Sequence, residues 1–299
     1  MLKTARPRRS VLYMPGSNSR ALEKGRSLPA DALILDLEDA VAPDAKREAR
    51  AKIVAALQQG GYGRREIIVR INGLDSDWGN EDLEELATAG ADALLLPKVE
   101  SAEMVRQAEA LMVAAGAPEE LALMCMMETP LGILKAAEIA AASPRLSCLV
   151  MGTSDLVKDL NALHTPERLP VLTALSLCVL AARANGLAVV DGVHLDLNDA
   201  EGFAAQCLQG RQLGFDGKTL IHPKTIEKAN EVFGPSAAEV AEAQRIIEVH
   251  AAAVKEGQGV AVLDGKLIEN LHVETARKTV SLAQTIAELE RSNTEQEEA

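Results

Sequence analysis

"DALILDLEDAVAPDAK", residues 31–46, runs from apolar residues through three acids, Asp36, Glu38 and Asp39, to a proline and a lysine. The near-continuous apolar run suits a strand buried on both faces, as in a parallel sheet. A helical pattern over about 44–58 follows, so the stretch reads as one βα unit whose strand ends in charge. The same grammar recurs along the chain. "SVLYMPG" leads to a helix at 18–27, "EIIVRING" to 80–89, "ADALLLPKVE" to 101–115 and "LALMCMMETP" to 131–142. "LSCLVMGTSD", "GLAVVDGVHLD" and "GKTLIHP" are each followed by helical periodicity as well. Eight such units predict an α/β fold, a TIM-like (β/α)8 barrel over residues 1–233. A doubly wound open sheet is the alternative, but no GxGxxG opens a helix and no GxxxxGK[ST] is present.

Beyond Phe233 the pattern changes. "GPSAAEVAEAQRIIEVHAAAVKEG" reads as one amphipathic helix, "QGVAVLDGKLIE" as a hairpin turning at Asp264-Gly265, and "HVETARKTVSLAQTIAELERS" as a last helix. Residues 234–299 are therefore expected to form an extension that packs on the barrel or on a neighbouring subunit. The acidic tail "ELERSNTEQEEA" reads as a fraying, solvated end.

Composition narrows the function. The 299 residues are 47% hydrophobic and 25% charged but only 2% aromatic, so the core is aliphatic and few rings are available to stack on bases. A formal net charge of −13 disfavours phosphate-backbone binding, and no nucleic-acid partner is expected, although a local basic pocket for a nucleotide-bearing cofactor stays open. Cys125, Cys148, Cys178 and Cys207 stand singly in apolar runs without metal-ligand spacing and read as reduced, buried thiols. The basic start "MLKTARPRRS" is followed by no apolar signal core, and no run reaches the roughly 18 apolar residues of a spanning helix. A cytoplasmic location without a membrane partner is the expectation.

The polar residues gather at the C-terminal ends of the strands, the face on which a barrel does its chemistry. Period-2 alternation aims Asp36 and Glu38 to one side, whereas a helix cap accounts for Asp39 or Asp44. Glu128 and Asp155 end the fifth and sixth strands beside Thr129, Gly152 and Thr153. Two such oxygen donors suit Mg2+, with Glu38 as a third acid to hold one of its waters; a helix cap is the bland account of each acid alone. Arg70 ends the third strand and suits an anionic substrate oxygen, an ion pair with Asp36 or Glu38, or both. Lys98 in "LLLPKVE" is a second cation, which would serve a Schiff-base aldolase only if there were no metal. His222 either lines the mouth or caps its loop. The remaining histidines have no ligand spacing, and Ser17, Ser19 and Ser154 lack His/Asp partners, so triad chemistry has little support.

In order along the chain, "RSVLYMPGSN", "ADALILDLEDAVAPDAK", "VRIN", "LLPKVE", "METPLGI", "GTSDL", "GFDGKTLIHPKTI" and "GVAVLDGKLIE" resemble the citrate lyase β-subunits and CoA-ester lyases of the HpcH/HpaI aldolase superfamily. The resemblance spans nearly the whole chain and takes in malyl-CoA and citramalyl-CoA lyases. It implies that Glu128 and Asp155 bind Mg2+, that Arg70 and Glu128 contact the substrate, and that Tyr13, Pro15, Gly16 and Lys24 help hold CoA. It also implies that Asp264 enters a neighbouring subunit's active site in a homotrimer or homohexamer. The catalytic set is then Asp264, Arg70 and Glu38. Three departures stand out: one family position near Asn18 that is basic in some malyl-CoA lyases lacks its basic residue here, "LDGK" stands where β-subunits tend to have "NGK", and "IHP" where they tend to have "NP". The last two favour a free-standing enzyme.

The expected activity is a reversible, Mg-dependent carbon–carbon lyase acting on a CoA thioester of the malyl-CoA, methylmalyl-CoA or citramalyl-CoA type. Its products would be acetyl-CoA or propionyl-CoA with glyoxylate or pyruvate. The rivals are a malyl-CoA thioesterase with the same metal site and a citrate lyase β-subunit serving a carrier protein.

Overall fold

The computed structural model describes residues 6–297. Among them eight strands pair in chain order, all parallel: β1 (Ser10–Pro15), β2 (Ala32–Asp36), β3 (Glu66–Arg70), β4 (Ala93–Leu96), β5 (Ala122–Met127), β6 (Leu146–Met151), β7 (Ala188–Asp191) and β8 (Gly217–Leu220). β8 also pairs with β1, so the sheet closes into the TIM-like (β/α)8 barrel that the βα grammar predicts.

Alternation along the strands divides two apolar layers. Val11, Tyr13, Ala32, Ile34, Ile68, Leu95, Met124, Met126, Cys148 and Val150 are among the residues that fill the barrel interior. The intervening Leu12, Leu33, Leu35, Val69, Leu94, Leu123 and Leu149 pack outward under the helices. Burying each such side chain contributes about 1.5–3 kcal/mol. Asp36, Arg70 and Glu128 continue the inward parity of Ile34, Ile68 and Met126, one step beyond the apolar filling. The register sets Asp36 beside Arg70. Charge therefore arrives at the mouth on rigid backbone.

The helical expectations hold for Ser19–Gly25, Lys46–Gln59, Gly79–Leu86 and Ala102–Ala114, with a 3-10 turn at Pro43–Ala45 leading into the second. The single helix expected at 131–142 is two, Pro130–Leu134 and Ala136–Ala140. Gly132 lies so close to the Val99 carbonyl that its segment is fixed there, and the chain resets at Lys135 to bury Ala136, Ile139 and Ala140. An unforeseen ionic group sits in the outer layer. Asp191 and Lys218, both fully buried, pair at 3.0 Å, and Arg168 reaches Asp191 at 2.7 Å.

The extension begins with the helix Ala237–Lys255, capped by Ser236 and Glu239. The hairpin β9 (Ala261–Leu263) and β10 (Lys266–Ile268) turns through Asp264 and Gly265, at φ +49° and +77°, the double positive φ of a tight hairpin turn. Ala253, Ala261, Leu263, Ile268 and Val273 give it a small core of its own. The last helix, Asn270–Glu297, carries through most of the tail expected to fray; the final two residues and the first five lie outside the described part. Glu290 meets Arg9 at 3.1 Å and Glu288 meets Arg64 at 3.4 Å, both at the strand-start end of the barrel. No helix among the described residues is long and apolar enough to cross a membrane.

Candidate active site

All three acids of residues 36–39 meet Arg70. Arg70 Nε and Nη2 donate to the two carboxylate oxygens of Asp36 at 2.7 and 2.6 Å, a bidentate fork. Its Nη1 lies 3.0 Å from Glu38 and 3.6 Å from Asp39, and its guanidinium stands 4.9 Å from the centre of the Tyr13 ring. Burial alone would lower the Arg70 pKa; the Asp36 hydrogen bonds and the neighbouring Tyr13, Asp36 and Glu38 outweigh it and hold the guanidinium firmly charged. Asp36 also accepts from the main-chain N–H groups of Glu38 and Ala40, so it shapes the turn as well as the pair. Lys46, which the sequence reading passed over, donates to the carbonyls of Leu37 and Glu38 at 2.8 and 2.7 Å. It opens the helix after the acidic turn and reaches back under it, with Trp78 against its ammonium.

Glu128 stands just past β5 with 1% of its surface exposed. Its Oε1 accepts the Lys98 main-chain N–H at 2.7 Å. A methyl at Gly152 would overlap Glu128 Oε2, so that glycine makes the space into which the second oxygen turns. Desolvation pushes the Glu128 carboxyl up to about 7, although the Lys98 N–H, Lys98 and Arg70 all pull it down. Asp155 is half-buried in the first turn of the helix Thr153–Asp159, which begins immediately after Gly152. Both acids expected to hold a metal thus flank Gly152.

Glu38, the expected third acid, meets two cations. Both of its oxygens are engaged by cations, Oε1 by the Lys98 ammonium and Oε2 by Arg70. Among the described residues no three His, Cys, Asp or Glu side chains group to hold a metal by themselves. Lys98 is itself unusual, at φ +48°, a left-handed backbone that nothing in "LLLPKVE" announces.

The other expected residues divide by position. Tyr13 lies inside the barrel, its hydroxyl 3.5 Å from Met126 Sδ. Pro15 closes β1, and Gly16 follows with its N–H on the Asp36 carbonyl at 2.9 Å; a methyl there would lie 2.7 Å from that carbonyl. Lys24 is exposed near the end of the helix Ser19–Gly25. His222 is an exposed loop cap, accepting from the Lys224 N–H at 3.1 Å. Asp264 is not brought to this group. It sits exposed at the hairpin turn, 2.8 Å from Arg245. All four cysteines are buried free thiols.

Residues 9–223 match the family model described as HpcH/HpaI aldolase/citrate lyase. The (3S)-malyl-CoA thioesterase of Cereibacter sphaeroides (strain KD131 / KCTC 12085) is 54% identical over 287 residues, covering 96% of this chain and 98% of the relative. Citrate lyase subunit beta of Escherichia coli (strain K12) is 39% identical, covering 94% and 95%. Among solved structures, the protein CitE from Mycobacterium tuberculosis, in complex with magnesium, acetoacetate and coenzyme A, superposes with a TM-score of 0.72 at 29% identity, over 95% of this chain and 100% of that one.

Proposed function

The chain belongs to the HpcH/HpaI aldolase/citrate lyase family, and from that premise we propose a magnesium-dependent enzyme acting on a short 3-hydroxyacyl-CoA thioester of the malyl-CoA class. The observation that carries this reading is Glu128. A buried carboxylate is costly unless a cation or hydrogen bonds satisfy it, and here only one oxygen is held by a main-chain donor. The half-buried Asp155 across Gly152 adds a second hard oxygen donor, a set that fits Mg2+. When bound by Glu128 and Asp155, magnesium supplies a Lewis acid for oxygens of the substrate's acid portion.

The chain's own groups account for the rest. Arg70 commits two of its five N–H donors to Asp36 and pairs through Nη1 with Glu38, and its remaining donors are available to a substrate oxygen that gains negative charge. The Asp36 fork and the Tyr13 ring fix its direction. Tyr13, Pro15 and Gly16 line the β1 side of the approach for CoA, with the exposed Lys24 available to a phosphate. Asp264 moves the proton, delivered from a neighbouring copy. Residues 234–299 would cover that neighbour's mouth within a homotrimer or homohexamer. Two features support this arrangement: the extension's ion pairs hold it to the opposite end of its own barrel, and Val260, Val262, Leu267 and Leu271 are exposed around the hairpin. The Asp264–Arg245 pair is exposed to solvent, so it holds Asp264 only weakly and is readily exchanged for substrate.

Within this class the 54% relative favours hydrolysis, in which water attacks the thioester carbonyl and the CoA thiolate leaves. The second reading, carbon–carbon lysis, is favoured by the 39% citrate lyase relative; there Asp264 returns a proton to the thioester enolate after glyoxylate departs. Incubating the purified chain with (3S)-malyl-CoA and Mg2+ separates them. Malate with free CoA is the expected result; acetyl-CoA with glyoxylate establishes lysis. No turnover of any CoA thioester without a carrier protein would overturn both.

A further inference from the structure

We propose that Lys98 sorts the acids of the mouth: its main-chain N–H fixes Glu128 with one oxygen free for a cation, and its ammonium holds Glu38 on Arg70, outside the cation's ligand shell. The inference rests on the metal reading above and deepens it.

The backbone supplies the first half. A left-handed conformation is unfavourable for a non-glycine residue and persists only where the surroundings enforce it. At φ +48° the Lys98 N–H meets Glu128 Oε1 at 2.7 Å. Oε2 is then the oxygen left over, and it lies against Gly152, on the side of the segment that carries Asp155. Glu128 is thereby set as a ligand through one oxygen.

The side chain supplies the second half. Glycine would adopt this φ at little cost, yet the position carries a lysine whose ammonium pairs with Glu38 Oε1 while Arg70 holds Oε2 at 3.0 Å. Lys98 therefore touches both acids, one through its main chain and one through its ammonium. Without the ammonium, Glu38 would keep its Arg70 pair and the Asp39 main-chain N–H, both on Oε2, and the freed Oε1 would compete for the same cation as Glu128. An added anionic ligand tightens a hard cation but occupies a position that a substrate oxygen needs. Lys98 is thus a positioning residue, and Glu38 is kept from becoming a ligand.

Calorimetric titration of the full-length, metal-free chain with Mg2+ alone tests this. Glu128→Gln should lose binding; undiminished binding there overturns the metal reading and this inference with it. Given that loss, Lys98→Met should bind Mg2+ at least threefold more tightly than wild type while its turnover of malyl-CoA falls at least tenfold. The gain should vanish in the Lys98→Met/Glu38→Gln double variant, and Lys98→Arg should restore wild-type affinity. Unchanged or weaker Mg2+ binding by Lys98→Met, or a gain that survives Glu38→Gln, refutes the sorting role alone. If Lys98→Met does not fold, Lys98→Gly carries the same expectations, because glycine accepts the left-handed backbone and keeps the N–H.

Discussion

Desolvation raises the Glu128 carboxyl from its ordinary 4.5 to about 7, and this has a measurable consequence in the metal-free chain. Between those two values the folded chain retains a proton that the unfolded chain has released. Stability in chelator therefore falls as pH rises from about 4.5 to about 7, by up to about 3 kcal/mol from this group. Melting curves in chelator should show that decline in wild type and lack it in Glu128→Gln; matching slopes would remove the buried-anion argument. Replacing Glu128 or Asp155 with Ala should abolish Mg2+-dependent turnover with the fold retained, as read by circular dichroism beside the assay. Arg70→Lys keeps a charge but loses the fork on Asp36 and the flat contact with Tyr13. Its turnover should drop at least tenfold, roughly 1.4 kcal/mol, and a wild-type rate would return Arg70 to a purely structural pair.

At the scale of the element, strand parity carries the site and glycine clears it. β2, β3 and β5 each hand an inward apolar parity on to a charged residue, so the acids and Arg70 could be read from alternation before any contact was known. The clearance around Glu128 could not. Gly152 is a small residue in the sequence, but only packing shows that a methyl there would overlap Glu128 Oε2 and Cβ. Gly152→Ala should therefore weaken Mg2+ binding at least tenfold and cost about 1–3 kcal/mol of stability by overpacking. Titration calorimetry and urea denaturation measure the two effects, and an unaffected Mg2+ affinity would contradict the clearance role.

Over the whole molecule, two ionic arrangements make separate predictions. Asp191 pairs with both Lys218 and Arg168 in the layer between sheet and helices, far from solvent. Asp191→Ala strands two buried cations and should destabilise the fold by about 3–5 kcal/mol, visible as a large fall in the urea midpoint. Asp264 belongs to the opposite class, exposed and removable. Asp264→Ala should melt like wild type yet lose turnover, and mixing it with Glu128→Ala should restore part of the activity if hairpins serve neighbouring mouths. Demonstrated subunit exchange without restored activity would place the hairpin's function within its own chain or nowhere.

The alternation of apolar runs and helical patterns determined the barrel, because burial on both faces of a parallel sheet leaves a local, periodic trace in the sequence. The same locality placed Asp36, Arg70 and Glu128 at strand ends, Asp155 in the first helical turn beyond β6, and Asp264-Gly265 at a turn. Tertiary structure decided what each group meets. It pinned Glu38 between Lys98 and Arg70, put Lys46 beneath the acidic turn, and gave His222 to its own loop. It also set the left-handed backbone at Lys98, a non-glycine whose φ no local pattern foretells. Ion pairing and desolvation depend on residues tens of positions apart that only barrel closure brings within about 3 Å, so a linear reading could name the acids but not divide their labour.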